Sequence, residues 1–276
     1  MSLARATRSE LTKQFTTSMW WILALVMFLY VGVTAGGLGG TLGAVANGTL
    51  GPDAVNGPAL PVDAVPPVVY SIATSVGYVF PLLIGTLMVT NEFRHQTLTP
   101  TFLATPRRGV ALGGKVGAGI VMGLLYAAVG IVAAVGIGAA ALAALGLDTL
   151  LDRSETWAMI GRMVIALVLW TLIGVGAGTL IRNQVAAVVS VLAFTQFIEP
   201  ILRTISAFIE GLSDVAKYLP GAASDALVGA SIYTSLGGTD ASGGGLDWWV
   251  GGLLLLGYAV VFLLLGWLFS WRRDVS

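Results

Sequence analysis

Residues 91–115 read NEFRHQTLTPTFLATPRRGVALGGK, and this polar stretch separates two apolar segments that are each long enough to cross a lipid bilayer. Four of its residues are arginine or lysine, one is the single histidine of the chain, and Glu92 is its one acid. Basic loops of membrane proteins stay on the cytoplasmic side. We therefore predict that residues 91–115 form a cytoplasmic loop, from which the other segments take their orientation.

Composition places the whole chain in a membrane. Of its 276 residues, 56% are apolar and only 10% are charged, and the mean hydropathy is +0.88. These values lie far outside the range of soluble domains. A net charge of zero argues against a nucleic-acid partner, because a basic surface is needed to neutralise phosphates. The absence of cysteine excludes a disulfide framework and a thiolate nucleophile.

The predicted fold class is an all-α integral membrane protein with an interfacial amphipathic helix at 1–18 and a transmembrane domain at 19–276. Apolar runs of sufficient length predict six transmembrane helices, at about 19–40, 67–90, 116–146, 157–180, 185–209 and 248–271. Six spans bring both termini to the cytoplasm. The cations agree, because ten of the 14 fall on that side: Arg5, Arg8, Lys13, Arg94, Arg107, Arg108, Lys115, Arg182, Arg272 and Arg273.

The N-terminal segment and the first span each allow two interpretations. Residues 2–18 place apolar residues among three cations, which predicts a helix on the inner membrane surface with its cations toward the headgroups; the alternative is a solvated basic flank. In the first span, Gly32, Gly36 and Gly40 have the four-residue spacing that lets another helix approach closely. The alternative there is fraying of the helix into the next loop.

Three residues inside the predicted spans predict irregularities. Pro81 predicts a kink or a wide turn in the second span, and Glu199-Pro200 predicts that the fifth span breaks near residue 200. Beyond that break, Glu199 and Arg203 are four residues apart and are predicted to form an outer polar pair. Arg162, in the fourth span, either reaches the headgroups or pairs with an acid such as Glu199 or Glu210.

Seven residues of the basic loop carry a resemblance to a known family. They resemble the cytosolic loop between the second and third spans of type 2 ATP-binding-cassette (ABC-2) permeases, the membrane subunits of one class of ABC exporter: Glu92, Arg94, Thr97, Leu103, Pro106, Arg108 and Lys115. Gln96 stands where many relatives have glycine. The six-span layout and the amphipathic segment 201–236, similar to the re-entrant outer helices of that family, extend the resemblance over the chain.

The resemblance implies a bacterial exporter in the inner membrane, with two permease subunits, identical or homologous, and two ATPase subunits that bind ATP and magnesium. The loop would be a coupling helix seated in a groove of the ATPase, with coupling residues Glu92, Arg94, Thr97, Leu98, Thr101, Phe102, Pro106 and Arg108. On helical spacing Glu92 would favour the start of that helix. The pathway would lie at the permease interface between the second and fifth spans, with Tyr70, Thr74, Tyr78, Phe194 and Phe197 as candidates.

The residues give no catalytic motif, so we expect no enzyme activity, cofactor or metal site in this chain. A partial match to the phosphate-binding loop motif occurs at Gly109, Gly114 and Lys115. The motif requires a serine or threonine after the lysine to hold magnesium, and this position is Val116. Lys115 is interpreted instead as an anchor at the membrane interface. The exported substrate is predicted to be hydrophobic or amphiphilic: a drug, peptide or lipid-like compound. A secondary transporter and a structural membrane subunit are the alternatives.

Overall fold

The computed structural model describes residues 2–51, 60–97, 101, 103, 107–206, 209, 212–232 and 246–271. The described residues are almost all helical and form no strand. The helices are α1 (Leu3–Phe15), α2 (Met19–Ala46), α3 (Val65–Tyr70), α4 (Ile72–Ser75), α5 (Val79–Arg94), α6 (Arg108–Ala144), α7 (Ser154–Leu180), α8 (Gln184–Ser206), α9 (Leu212–Ala216), α10 (Pro220–Val228) and α11 (Trp248–Gly266). Three π-helical segments accompany them: Val132–Ile137 in α6, Phe194–Ile198 in α8, and Trp267–Trp271 after α11.

Five of these helices, α2, α6, α7, α8 and α11, are long and apolar enough to cross a membrane. The prediction of an all-α, multi-pass membrane protein is therefore confirmed at this level. The segment predicted as the second span is interrupted, because α3, α4 and α5 follow one another with short breaks. None of these three helices reaches the length of a span alone.

The interruption lies one turn before Pro81 and not at the proline itself. Proline has no amide hydrogen and its ring crowds the carbonyl four residues earlier, which here belongs to Gly77. The Gly77 carbonyl instead accepts from the amide of Phe80 at 3.2 Å. Pro81 then lies in the first turn of α5, where a missing amide hydrogen does no harm.

The predicted break of the fifth span near residue 200 is wrong. Helix α8 continues through Pro200 to Ser206, and the turn before the proline is π-helical over Phe194–Ile198. A π-turn widens the helix and so relieves the crowding that the proline ring causes at the preceding carbonyls. The helix therefore changes locally from α-helical to π-helical hydrogen bonding before Pro200 and does not end there.

Helix α7 is the centre of the bundle, since it packs against α5, α6, α10 and α11. Glycines allow its close approach to α5. A Cβ added at Gly85 of α5 would collide with the Thr171 carbonyl of α7, and one added at Gly174 or Gly178 would collide with carbonyls of α5. Small residues at a helix interface permit such backbone contact in membranes.

The first span does not fray where its glycines occur, because α2 continues as helix to Ala46. Gly32 and Gly36 face the Ile137 side chain in the π-helical part of α6, which bears out their interpretation as a close helix contact. Gly40 faces open space, contrary to that interpretation. Residues four apart on an α-helix are offset by about 40°, so Gly40 lies about 80° around α2 from Gly32 and leaves the contact face.

Both ends of the described chain meet the beginning of α6. Trp271 Nε1 donates to the Arg108 carbonyl at 3.1 Å, and the Arg108 guanidinium donates to the Trp271 carbonyl at 3.1 Å. Seven residues further along α6, Lys115 contacts Glu10 of α1 at 2.9 Å. These contacts also explain why α6 begins at Arg108, eight residues before the predicted span: α1 and Trp271 cover its first turns.

Candidate functional site

Helix α1 packs along the first turns of α6. A Cβ added at Gly114 would lie 2.8 Å from the Ala6 side chain, and one at Gly117 would lie 2.6 Å from the Thr7 hydroxyl. The buried face of α1 consists of Ala6, Glu10 and Gln14. The prediction that all cations of this segment point to lipid headgroups is wrong for Lys13, because its ammonium group turns toward the protein.

Four charges from α1, α5 and α6 form a closed cluster at this end of the bundle. We call Glu10, Lys13, Glu92 and Lys115 the four-charge cluster. Lys13 Nζ lies 2.6 Å from Glu10 Oε1 and 2.6 Å from Glu92 Oε1. Lys115 Nζ lies 2.9 Å from Glu10 Oε2 and 2.8 Å from Glu92 Oε2. Each carboxylate thus bridges both lysines, and the formal charges cancel.

The cluster corrects two sequence-based interpretations. Lys115 is fully buried, so it is not an anchor at the membrane interface. Glu92 lies near the carboxyl end of α5 and not at the start of a helix. The carboxyl end of a helix disfavours a negative charge. Glu92 is stable there because two ammonium groups lie within 3 Å of it.

The charges of α1 respond to burial and to each other. Burial raises the pKa of Glu10, but Lys115 and Lys13 outweigh this effect, so the pKa lies below its ordinary value of 4.5. Burial lowers the pKa of Lys13, but Glu10 and Glu92 outweigh it and the pKa lies above 10.5. Both shifts favour the charged forms that hold α1 against the bundle.

Directly after Glu92, helix α5 ends in a left-handed turn. The Thr97 amide donates to the Glu92 carbonyl at 3.0 Å, and the Gln96 amide donates to the Phe93 carbonyl. This pair of bonds is the Schellman motif, which usually has glycine at the left-handed position. Gln96 occupies that position with φ 55°. A glycine at this place in related loops would adopt the same turn without strain.

The structure ties several predicted coupling residues to other spans. Arg94 donates to the Gln184 side chain of α8 at 3.3 Å, while Arg108 pairs with Trp271 as described. The Thr101 amide donates to the Thr97 carbonyl at 3.2 Å. The predicted coupling residues Leu98, Phe102 and Pro106 lie outside the described residues. The predicted loop 91–115 overlaps both helices, since α5 ends at Arg94 and α6 begins at Arg108, and the described residues Thr101 and Leu103 between them are helical. We call the segment between the two helices loop 95–107.

The predicted pathway residues divide into a buried set and an exposed set. Tyr70 and Thr74 are buried, and Tyr78 packs its ring against Trp170 with the centroids 4.3 Å apart. By contrast, Phe197 of α8 exposes 66% of its surface, and Phe194 is partly exposed. The Tyr78 hydroxyl also donates to the Thr195 carbonyl of α8, next to Phe194, and the assignment of these residues to a pathway stays a prediction.

A second polar group lies where α8 meets α10. Arg203 of the predicted outer pair forms an ion pair of 2.6 Å with Asp225 of α10. Glu199 Oε1 accepts from the Gly221 amide at 2.5 Å. Asp225 also accepts from Ser75 and Ser231 at 3.2 and 2.6 Å. We call Glu199, Arg203 and Asp225 the cavity cluster, after the space that they border.

Asp225 is the residue of this cluster that the sequence did not single out. It is 22 residues from Arg203, so local spacing gives no sign of the contact. The apolar residues around it on α10 gave a weak indication of the contact, because an acid that is buried among apolar residues needs a partner. Glu10 was missed for the same reason, since Lys115 lies 105 residues away.

Arg162 is partly buried, and its guanidinium lies over the Trp248 ring, 5.9 Å from the ring centroid. Its guanidinium donates to the Ala158 carbonyl at 3.4 Å. Of the two acids named as possible partners, Glu210 lies outside the described residues, so both interpretations of Arg162 stay predictions. Glu199 is engaged with Gly221 instead.

No model of a known protein family matches the chain, and no curated protein matches it. The ABC-2 resemblance therefore depends on the loop residues and the span pattern, and it stays a prediction.

Proposed function

We propose that this chain is the transmembrane permease subunit of an ABC exporter, which moves a hydrophobic or amphiphilic substrate outward with ATP hydrolysed by a separate ATPase subunit. The four-charge cluster carries this proposal. It joins α1, α5 and α6 at the base of loop 95–107. A partner that displaced this loop would move α5 and α6, the helices on either side of it, as one unit with α1, because buried charge pairs resist separation.

The arrangement of the chain ends supports six spans. The described chain starts and finishes beside the first turns of α6, and an even number of crossings returns both ends to one side. Five helices qualify as spans by themselves, and the sixth crossing would be α3, α4 and α5 together. In this arrangement loop 95–107 lies in the cytoplasm with both termini.

An exposed leucine supports a partner at this loop. Leu103 exposes 78% of its surface within a basic loop. Isolated exposed apolar residues are common, but one in a polar loop at the base of two spans suits the centre of a docking surface. The partner would be the ATPase, and the complete unit would contain two permeases and two ATPases.

The test compares two exposed leucines at the same end of the bundle, Leu103→Ser in the loop and Leu3→Ser in α1, of which 57% is exposed. The intact protein is purified from its native membranes with any associated ATPase, and binding and ATP hydrolysis are measured in nanodiscs. We expect Leu103→Ser to weaken ATPase binding at least about tenfold, and Leu3→Ser to leave it unchanged. An intact chain that brings down no ATP-hydrolysing partner would overturn the proposal.

Topology provides an independent test, because the chain contains no cysteine. His95→Cys and Asp152→Cys each introduce one thiol at an exposed site. An impermeant maleimide should label position 152 in intact cells and position 95 only after permeabilisation. Labelling of position 95 in intact cells would contradict the six-span arrangement.

A cation-coupled secondary transporter is the second candidate function. The observation that favours it is Glu199, a buried acid within the candidate span α8. Transport into ATP-free vesicles, driven by an imposed ion gradient, would favour this candidate over the ABC exporter.

A further inference from the structure

A small cavity lies between α4, α8 and α10. Its volume is about 10 Å³, which is room for roughly one water-sized particle. Helix α4 contributes Thr74 and Ser75, and α8 and α10 contribute the cavity cluster. The polar side chains that line it are those of Thr74, Ser75, Tyr78, Glu199, Arg203 and Asp225.

The hydroxyl groups around this cavity already donate their hydrogens elsewhere. Thr74 donates to the Ser71 carbonyl at 2.9 Å, and Tyr78 donates to the Thr195 carbonyl at 3.0 Å. Ser75 donates to Asp225 at 3.2 Å. A hydroxyl has one hydrogen and two lone pairs. These side chains therefore turn electron-rich oxygen toward the cavity.

Glu199 is the group whose hydrogen bonding is incomplete. Its side chain is almost wholly buried, with 2% of the residue exposed. Oε1 accepts from Gly221, whereas Oε2 is buried and accepts no hydrogen bond from the described residues. A buried carboxylate oxygen without a partner is strongly unfavourable.

The formal charges of the described residues that line the cavity do not balance. Asp225 is engaged by Arg203, Ser75 and Ser231, and Arg203, the one cation that lines the cavity, also attracts Glu199. Tyr258 of α11 is close enough to interact electrostatically with Glu199, but its hydroxyl donates to the Tyr218 carbonyl and it adds no positive charge. Two carboxylates and one guanidinium leave a formal excess of one negative charge. A neutral water molecule would fill the space but would not offset that charge.

We propose that the cavity binds one monovalent cation against Oε2 of Glu199, either a proton or a sodium-sized metal ion. Either one supplies the single positive charge that offsets the excess: a proton by bonding to Oε2 of Glu199, and a sodium-sized ion by coordination among the oxygens that line the cavity. The bound charge would link α8 to α4 and α10. Its site is independent of loop 95–107, so the inference does not depend on an ATPase partner.

The test measures thermal unfolding of the purified full chain in nanodiscs without any partner protein. Sodium chloride is compared with choline chloride at equal ionic strength, and each salt is examined across a range of pH. Glu199→Gln removes the excess charge at constant shape. Asp214→Asn is the matched control, because Asp214 is an exposed acid paired with Lys217 at the surface.

A sodium site predicts a rise of roughly 2–4 °C in the unfolding midpoint with sodium over choline. A proton site predicts no difference between the salts, together with an infrared band of a protonated carboxyl group at neutral pH. Either response should vanish in Glu199→Gln and persist in Asp214→Asn. A response that persists in Glu199→Gln, or its absence in the unmutated protein on both measurements, would overturn the proposal.

Discussion

The four-charge cluster and the cavity cluster lie at the two ends of α5 and handle buried charge in opposite ways. In the first, two carboxylates meet two ammonium groups, and all four distances are below 3 Å. In the second, two carboxylates share one guanidinium, and a carboxylate oxygen of Glu199 accepts no hydrogen bond from the described residues. Buried charges that cancel hold the helices together, whereas an excess buried negative charge is unfavourable unless a cation binds beside it.

The largest effect should follow removal of one charge from the four-charge cluster. Lys115→Met leaves Glu10 and Glu92 buried together with only Lys13, whose side chain is 39% exposed. We expect a loss of about 3–5 kcal/mol in the free energy of unfolding, measured by denaturation in mixed micelles. Arg5→Met, on the exposed face of α1, is the control.

A compensating variant sharpens this prediction. Glu10→Gln in the Lys115→Met background removes one of the two uncompensated carboxylates, so part of the lost stability should return. If the double variant were less stable than Lys115→Met alone, then the lysine would stabilise the bundle by packing and not by charge.

The cavity cluster should respond less, because its cation is partly exposed. Arg203→Gln leaves Asp225 with hydroxyl donors alone, and 16% of the arginine side chain is already open. We expect a loss of about 1–3 kcal/mol in unfolding free energy. Lys217→Gln breaks the exposed pair with Asp214 and should give no measurable change.

The pair in the cavity cluster also predicts which double variant rescues. Asp225→Asn added to Arg203→Gln should cost less than the sum of the two single changes, because the uncompensated carboxylate is gone. Equal rescue by Glu199→Gln and by Asp225→Asn would mean that Arg203 stabilises both acids alike.

Docking of α1 should depend on pH. The pKa of Glu10 lies below 4.5 in the folded protein, so its contribution is present above that pH and is lost as pH falls through the lowered value. The pKa of Lys13 lies above 10.5, so its contribution is lost as pH rises through the raised value. A spin label at Thr12→Cys, an exposed site of α1, should therefore gain mobility at both extremes. A label that keeps one mobility through acid pH would contradict the role of Glu10.

The smallest effect concerns the turn that ends α5. Gln96→Gly should stabilise the protein by about 0.5–1 kcal/mol, because glycine adopts positive φ without steric strain. Leu150 has the same φ of 55° but is 5% exposed. Leu150→Gly should destabilise by roughly 2 kcal/mol or more, since the buried side chain is lost. Thermal unfolding of both variants compares the gain from relieving backbone strain at Gln96 with the loss of a buried side chain at Leu150, at two positions with the same φ.

Sequence reasoning was accurate for helices whose ends depend on local composition. The fourth span was predicted at 157–180, and α7 covers Ser154–Leu180. It was less accurate where neighbours cover polar residues, since α6 begins at Arg108 only because α1 and Trp271 pack on its first turns. Both prolines were correctly predicted to accompany an irregularity, but its type differed from the prediction. The helix is interrupted one turn before Pro81, and a π-helical turn precedes Pro200 where a break was predicted.

The sequence alone determined the class of this protein, its apolar helices and the basic loop between α5 and α6, because hydropathy and charge are properties of short segments. Only the tertiary structure decided the charge partners. Lys115 meets Glu10 across 105 residues, and Arg203 meets Asp225 across 22. In the sequence, several acids are equally plausible partners for each cation. Helix packing selects among them, because it excludes water and leaves each buried charge only the partners that lie within about 3 Å.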